Sequence, residues 1–103
     1  MARTPEGKVK DKVSAMLKHH GFWYFLPGNN GFGKSGIPDF VCCINGQFVG
    51  IECKASPDKQ PTALQLKRKV EIREAGGMWF LIGSETAVND VERILLELKD
   101  ADR

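Results

Sequence analysis

Asp39, Glu52 and Lys54 are the residues whose types and spacing could do chemistry together. Between them stands Asn45-Gly46, which predicts a β-hairpin with a two-residue loop. Continuing the antiparallel ladder from this turn brings Asp39 directly opposite Glu52, with their Cβ atoms about 4.5–5.5 Å apart. Because strand side chains alternate between the two faces of a sheet, Lys54 lies on the same face as Glu52.

Two opposed carboxylates on a sheet repel each other, and a divalent cation between them would relieve the repulsion. Mg²⁺ and Mn²⁺ take oxygen ligands, commonly one or two carboxylates with water and substrate phosphate. A lysine beside such a pair can hold an attacking water or stabilise charge that develops on phosphate. Pro38 favours this hypothesis, since it fixes the start of the strand where a side chain can protrude into a cleft. The alternative is that Lys54 only neutralises two partly exposed acids at the end of a sheet.

The opposite face of the hairpin is expected to be buried. It collects six apolar or thiol side chains, which are Phe40, Cys42, Ile44, Val49, Ile51 and Cys53. All three cysteines, Cys42, Cys43 and Cys53, lie in apolar strand-like runs. We expect small buried thiols rather than a disulfide framework or a zinc site.

The elements that must position this hairpin follow from periodicity and from turn signals. In chain order we predict a helix over 5–20, strands over 22–26, 37–44 and 47–54, a helix over 62–75, a strand over 78–82 and a final helix after 84–89. The order α-β-β-β-α-β-α indicates an α/β fold in which helices flank a small mixed sheet.

Composition limits the classes of protein that the chain can belong to. Its 103 residues predict one domain over 1–103. Hydrophobic residues at 42% and charged residues at 27% exclude a disordered tail, a collagen-like chain and a disulfide miniprotein. Apolar runs of about five residues are too short to cross a membrane, and the start lacks the apolar core of a signal peptide. We therefore expect a cytoplasmic protein without a membrane partner. The basic excess in 1–20 and 58–83 permits a surface that binds a polyanion.

The ordered set of motifs resembles the PD-(D/E)xK nuclease superfamily and, more narrowly, a stand-alone VRR-Nuc domain of viral or bacterial type. The motifs are Gly36-Ile37-Pro38-Asp39, Asn45-Gly46, Ile51-Glu52-Cys53-Lys54, the downstream Gln65 and Ala75-Gly76-Gly77. The similarity runs from about residue 5 to residue 83. It implies a restriction-endonuclease-like core and a metal-dependent endonuclease that hydrolyses phosphodiester bonds.

The resemblance also implies roles for individual residues. Asp39 and Glu52 would hold Mg²⁺ or Mn²⁺ together with the backbone carbonyl of Cys53. Lys54 would orient or activate water and steady the phosphate. Gln65 fits the family's glutamine in the helix after the Glu-x-Lys strand, although it could equally be an exposed helical residue.

Family members often add an acid from the first helix. Glu6 is the matching candidate for a metal ligand here, and Asp11 is a weaker alternative on the same helix. Glu6 has a second explanation, since an acid in the first turn interacts favourably with the helix dipole.

The resemblance to junction resolvases implies a structure-selective endodeoxyribonuclease, with a four-way DNA junction as the favoured substrate and a homodimer to cut two strands. No small-molecule cofactor is expected. A flap, nicking or restriction-like nuclease, a non-catalytic nucleic-acid-binding module and an adaptor domain remain open alternatives. Lys34 and Ser35 border the site and are expected to contact DNA. Further candidates for phosphate contacts are Lys8, Lys12, Lys59, Lys67, Arg68 and Arg73.

Aromatic residues could also contact DNA. Phe22, Trp23, Tyr24 and Phe25 are expected in the sheet core or a dimer interface rather than in a base-stacking platform. Phe32, in the glycine-rich loop, could wedge into a junction or pack on a partner subunit.

Overall fold

The computed structural model describes residues 3–28 and 34–102, so the predicted wedge Phe32 lies outside the described residues. The elements in chain order are α1 (Pro5–His19), β1 (Trp23–Phe25), β2 (Phe40–Ile44), β3 (Gln47–Cys53), α2 (Ala63–Glu74), β4 (Met78–Ile82) and α3 (Glu85–Asp100). The predicted order α-β-β-β-α-β-α is confirmed. Within the described ranges, no helix combines the length and the apolar character needed to cross a membrane.

The four strands form one mixed sheet in the order β1-β2-β3-β4. The first three strands run antiparallel to their neighbours, whereas β3 and β4 are parallel. A parallel pair needs a crossover connection, and α2 provides it between β3 and β4. The small mixed sheet with flanking helices is the predicted fold class.

The register of the β2–β3 hairpin matches the prediction from its turn. Ile44 pairs with Gln47 beside the turn, and Phe40 pairs with Ile51 at the far end. Both turn residues, Asn45 and Gly46, have positive φ angles of 52° and 78°. This backbone twist matches the twist of the flanking strands, and it therefore fixes the pairing without a bulge.

The hydrophobic core fills the space between one face of the sheet and helices α1 and α3. The predicted apolar face of the hairpin is confirmed, because all six of its side chains are buried. The core residues with at most 3% exposure include Val9, Val13, Leu17, Phe40, Cys42, Ile44, Val49, Ile51, Cys53, Ile82, Val88 and Leu95.

Helix α2 covers only part of the other sheet face. It contains no buried residue, and its Leu64, Leu66 and Val70 are 43–52% exposed. Trp23 and Phe25 on the edge strand β1 are also exposed, whereas Phe22 is buried. The second sheet face is therefore partly open to solvent.

This open face corrects the expectation for one cysteine. Cys42 and Cys53 are buried free thiols as predicted, but Cys43 is exposed. Its side chain lies on the face that α2 covers incompletely, since neighbours along a strand point to opposite faces.

Two predicted boundaries are wrong by several residues. Strand β2 begins at Phe40 instead of residue 37, because the preceding segment packs on the sheet as a loop and Pro38 has no N–H to donate. Helix α3 begins at Glu85 instead of after residue 89, because the Ser84 hydroxyl accepts from the Ala87 N–H and caps it. The other boundaries agree with the prediction to within one residue at each end.

Candidate active site

An open cleft of about 400 Å³ lies where α1, the loop before β2, the end of β3 and the start of α2 meet. Asp39, Glu52 and Gln65 line it. Lys54 lies directly beside it, with its Nζ 3.7 Å from Glu52 Oε2. The fold therefore brings all four predicted catalytic side chains to one place.

Glu52 is the buried carboxylate of this cleft. It is only 3% exposed, and its Oε2 accepts a 2.7 Å hydrogen bond from Gln65 Nε2. Its Oε1 is buried without a hydrogen-bond partner. Burial and, after it, the Asp39 charge raise the pKa of Glu52, and Lys54 opposes them, so that the pKa is about 7. Buried carboxylate oxygens normally have a hydrogen-bond partner. Because Oε1 has none here, it is available to bind a ligand.

Asp39 is hydrogen-bonded to β3, the strand that carries Glu52. Its Oδ2 accepts a 2.8 Å hydrogen bond from the backbone N–H of Cys53, the neighbour of Glu52 in β3. Its Oδ1 lies 3.6 Å from Lys10 Nζ. Asp39 and Glu52 directly follow the last strand pair, Phe40 and Ile51. The bond to Cys53 holds the two acids side by side at this position, as the sequence predicts.

Gln65 connects this acid pair to the start of α2. Its Oε1 accepts from the Thr62 N–H at 2.9 Å, which completes a capping box with the Thr62 hydroxyl. Its Nε2 donates to Glu52. The glutamine therefore orients the buried carboxylate and fixes the helix N-terminus with the same side chain.

Lys10 is a site residue that sequence reasoning missed. Its Nζ lies 3.1 Å from Glu6 Oε2 and 3.6 Å from Asp39 Oδ1, and it lines the cleft. Burial opposes its charge, but Glu6 and Asp39 outweigh this effect and raise the pKa of the ammonium. Helical spacing could have identified it, because Lys10 follows Glu6 by four residues and therefore lies on the same face of α1.

The chemistry of the acid pair fits a hard divalent cation. The unpartnered Oε1 of Glu52 and the neighbouring Asp39 carboxylate are oxygen donors of the kind that Mg²⁺ and Mn²⁺ take. Across 3–28 and 34–102, no three His, Cys, Asp or Glu side chains converge as a metal site. Glu6 therefore does not complete a three-carboxylate cluster with these two acids, and Lys10 lies between it and Asp39.

Two glycines allow the loop before β2 to form the cleft wall. Pro38 packs on Gly50 of β3, where an added Cβ would lie 2.8 Å from the proline ring. Gly36 has a φ of +81°, and an added Cβ would lie 2.6 Å from the Leu64 backbone of α2. The loop is therefore pressed between the sheet and the first turn of α2.

The predicted DNA contacts divide into three groups. Lys34 and Ser35 line the cleft. Arg68 is engaged within the protein, since its Nε donates to the Ser35 carbonyl at 2.9 Å and its Nη1 pairs with Glu71 at 2.7 Å. Arg68 thus supports the loop.

The remaining predicted contacts lie away from the cleft lining. This group consists of five exposed residues, which are Lys8, Lys12, Lys59, Lys67 and Arg73. Lys8 borders a separate hollow near Pro57. Asp11 pairs with Arg3 at 3.0 Å, so its carboxylate is engaged elsewhere.

The comparison with solved structures agrees with this geometry. A structure described as a VRR_NUC domain matches with a TM-score of 0.78 and 24% sequence identity, over 88% of this chain and 97% of that chain. No family model matches the sequence, and no curated protein matches it. The chain therefore has the fold of a VRR-Nuc domain, as its sequence motifs predicted.

Proposed function

We propose that this protein is a divalent-metal-dependent endodeoxyribonuclease that hydrolyses phosphodiester bonds. The observation that carries the proposal is Glu52, a carboxylate that the fold buries beside Asp39 with one oxygen unpartnered. A buried carboxylate is costly unless both of its oxygens have partners, and Lys54 and Gln65 face only Oε2. A cation at Oε1 would complete the set.

The residues of the cleft have separable roles in this proposal. Asp39, Glu52 and the carbonyl of Cys53 would hold Mg²⁺ or Mn²⁺. When bound, the ion would neutralise charge on the phosphate and make a water molecule more acidic. Lys54 would steady the phosphate and the incoming water, because its ammonium lies 3.7 Å from Glu52 in a half-buried setting. Hydrolysis adds the water oxygen to phosphorus, breaks one P–O ester bond and transfers a proton from the water to the departing oxygen.

Lys10 gives the cleft a second cation. It lies beside Asp39 on the α1 side, whereas Lys54 lies beside Glu52. Together with Lys34 in the loop, it supplies positive charge for a phosphate that enters the cleft.

We further propose that the substrate is branched DNA, with a four-way junction favoured, and that the protein acts as a homodimer. Symmetric cleavage of two strands needs two active sites, and a twofold dimer supplies them. The exposed aromatic side chains Trp23 and Phe25 on the edge strand support a protein contact there.

The test is a cleavage assay on end-labelled four-way junction, flap, linear duplex and single-stranded DNA, each with Mg²⁺, Mn²⁺ or EDTA. We expect paired nicks in the junction that EDTA and Asp39→Asn abolish. Asp11→Asn is the matched control, because Asp11 also carries a carboxylate but pairs with Arg3 outside the cleft lining. This control should cut like the wild type.

Other results would change the proposal in defined ways. Cleavage of flap or duplex DNA would keep the nuclease and discard the junction preference. DNA binding in EDTA without cleavage in either metal would instead favour a non-catalytic binding module. Equal cleavage by Asp39→Asn and the wild type would overturn the assignment of the site.

A further inference from the structure

A second hollow of about 360 Å³ adjoins the candidate active site. It lies between α2, the loop before β2 and the open face of the sheet. We call it the apolar hollow, and its apolar lining consists of Ile37, Pro38, Phe48, Ile72, Ala75 and Gly77. Lys34, Ile37 and Pro38 line the catalytic cleft as well. The two cavities therefore share one wall.

Phe48 gives the apolar hollow an aromatic surface. Its side chain is 42% exposed, although the residue belongs to the central strand β3. The ring lies close to the α2–β4 turn, since its Cδ1 is 3.2 Å from the position that a Cβ on Gly77 would take. A partly exposed aromatic ring in an apolar hollow can stack against a planar ring of a ligand.

Charged groups at the rim indicate which ligand would enter. Lys34 borders both cavities and can contact a phosphate between them. Arg68 holds the wall in place through the Ser35 carbonyl. Glu71 also lines the hollow; its Oε1 accepts from Arg68, and its half-exposed carboxylate can accept a further hydrogen bond from the amino group of a base.

Nucleic acid is the ligand that combines an anionic backbone with planar, largely apolar rings. An apolar protein side chain would use the same walls but would leave the Lys34 ammonium at the shared rim without an anion. The shared wall also connects the hollow to the place where the phosphate would lie. These observations favour a nucleobase over a protein segment.

We propose that the apolar hollow binds a nucleobase that leaves the stack next to the phosphate in the catalytic cleft. This inference rests on the proposed function, and it adds a substrate class to it. Removing a base from its stack costs least where the base is unpaired or mismatched. The protein would therefore select DNA with unpaired or easily unstacked nucleotides, as at a branch point.

The test uses a duplex with one unpaired 2-aminopurine, whose fluorescence increases when the base leaves the stack. Binding is titrated in EDTA and again in Ca²⁺, so that no cleavage is required. We expect the emission to rise on binding to the wild type. Phe48→Ala, which removes the stacking surface, should weaken binding at least about fivefold. Ala75→Phe, which fills the hollow from the exposed end of α2, should suppress the rise in emission.

The matched control is Val70→Ala. Val70 is 52% exposed on α2, the helix that borders the hollow, but it does not line the hollow. It should bind and respond like the wild type. Thermal unfolding of each variant verifies that all three proteins are folded.

The outcomes separate this inference from the proposed function. An unchanged emission signal on bound DNA, or equal effects of Phe48→Ala and Val70→Ala, would overturn the base site while metal-dependent cleavage could stand. A full emission response in a protein that never cuts DNA would support the base site and reject the nuclease. A change in oligomeric state caused by Phe48→Ala would identify the hollow as a contact between copies of the chain and would also overturn the inference.

Discussion

Replacing Glu52 with glutamine is expected to stabilise the metal-free protein at neutral pH. Burial raises the pKa of Glu52 from 4.5 to about 7, so the folded protein keeps a proton there that the unfolded chain releases. The stability contributed by this group is complete below pH 4.5, and it is lost as the pH rises through 7. Glutamine has the same shape and no charge, so Glu52→Gln avoids this loss.

The size of the effect follows from the two pKa values. Each pH unit between them corresponds to about 1.4 kcal/mol. The free energy of unfolding of the wild type is therefore lower by about 3 kcal/mol at pH 8 than in the limit of low pH, but by only about 1 kcal/mol at pH 5. In a domain of this length, about 3 kcal/mol changes the Tm by roughly 10–20 °C.

The assay is thermal unfolding followed by circular dichroism in EDTA between pH 5 and pH 8. The Tm advantage of Glu52→Gln over the wild type should grow as the pH rises. Glu97→Gln makes the same chemical change at an exposed position of α3 and should show no such growth. A lower Tm of Glu52→Gln than of the wild type at pH 8, or a Tm difference that is constant with pH, would contradict a raised pKa at Glu52.

Three further predictions concern the neighbours of this carboxylate. Lys54→Met should lower cleavage by at least about 100-fold in a gel assay while DNA binding changes little, because its ammonium is proposed to act on the reacting phosphate; a large loss of binding with an equal loss of cleavage would contradict that role. Gln65→Leu removes the donor to Glu52 Oε2 and the acceptor for the Thr62 N–H, so it should cost about 1 kcal/mol in urea unfolding and reduce cleavage by about 10–100-fold. Unchanged cleavage would show that the orientation of Glu52 does not matter. Gly36→Ala should lower the Tm, because its Cβ would lie 2.6 Å from the Leu64 backbone at a φ of +81°; an unchanged Tm would mean that the loop moves freely away from α2.

The paired acids could be predicted from sequence because the turn between them is short. A two-residue loop leaves one register for the hairpin, and the apolar residues of the other face agree with it. The positions of Asp39 and Glu52 then depend only on counting along two strands. Local information was sufficient for this part of the site.

Features that depend on packing between distant segments could not be predicted in the same way. The unpaired loop before β2 depends on the contact of Pro38 with Gly50, and the exposure of Cys43 depends on where α2 lies. Arg68 resembled a DNA contact until its bond to the Ser35 carbonyl was known. Lys10 could have been found, because helical spacing alone places it beside Glu6.

Binding of Mn²⁺ provides the decisive measurement for the site. Free Mn²⁺ gives an electron paramagnetic resonance signal that falls when the ion binds to the protein. We predict saturable loss of the signal with the wild type and with Asp11→Asn, and little loss with Asp39→Asn or Glu52→Gln. The same signal loss with all four proteins would contradict a metal site at Asp39 and Glu52.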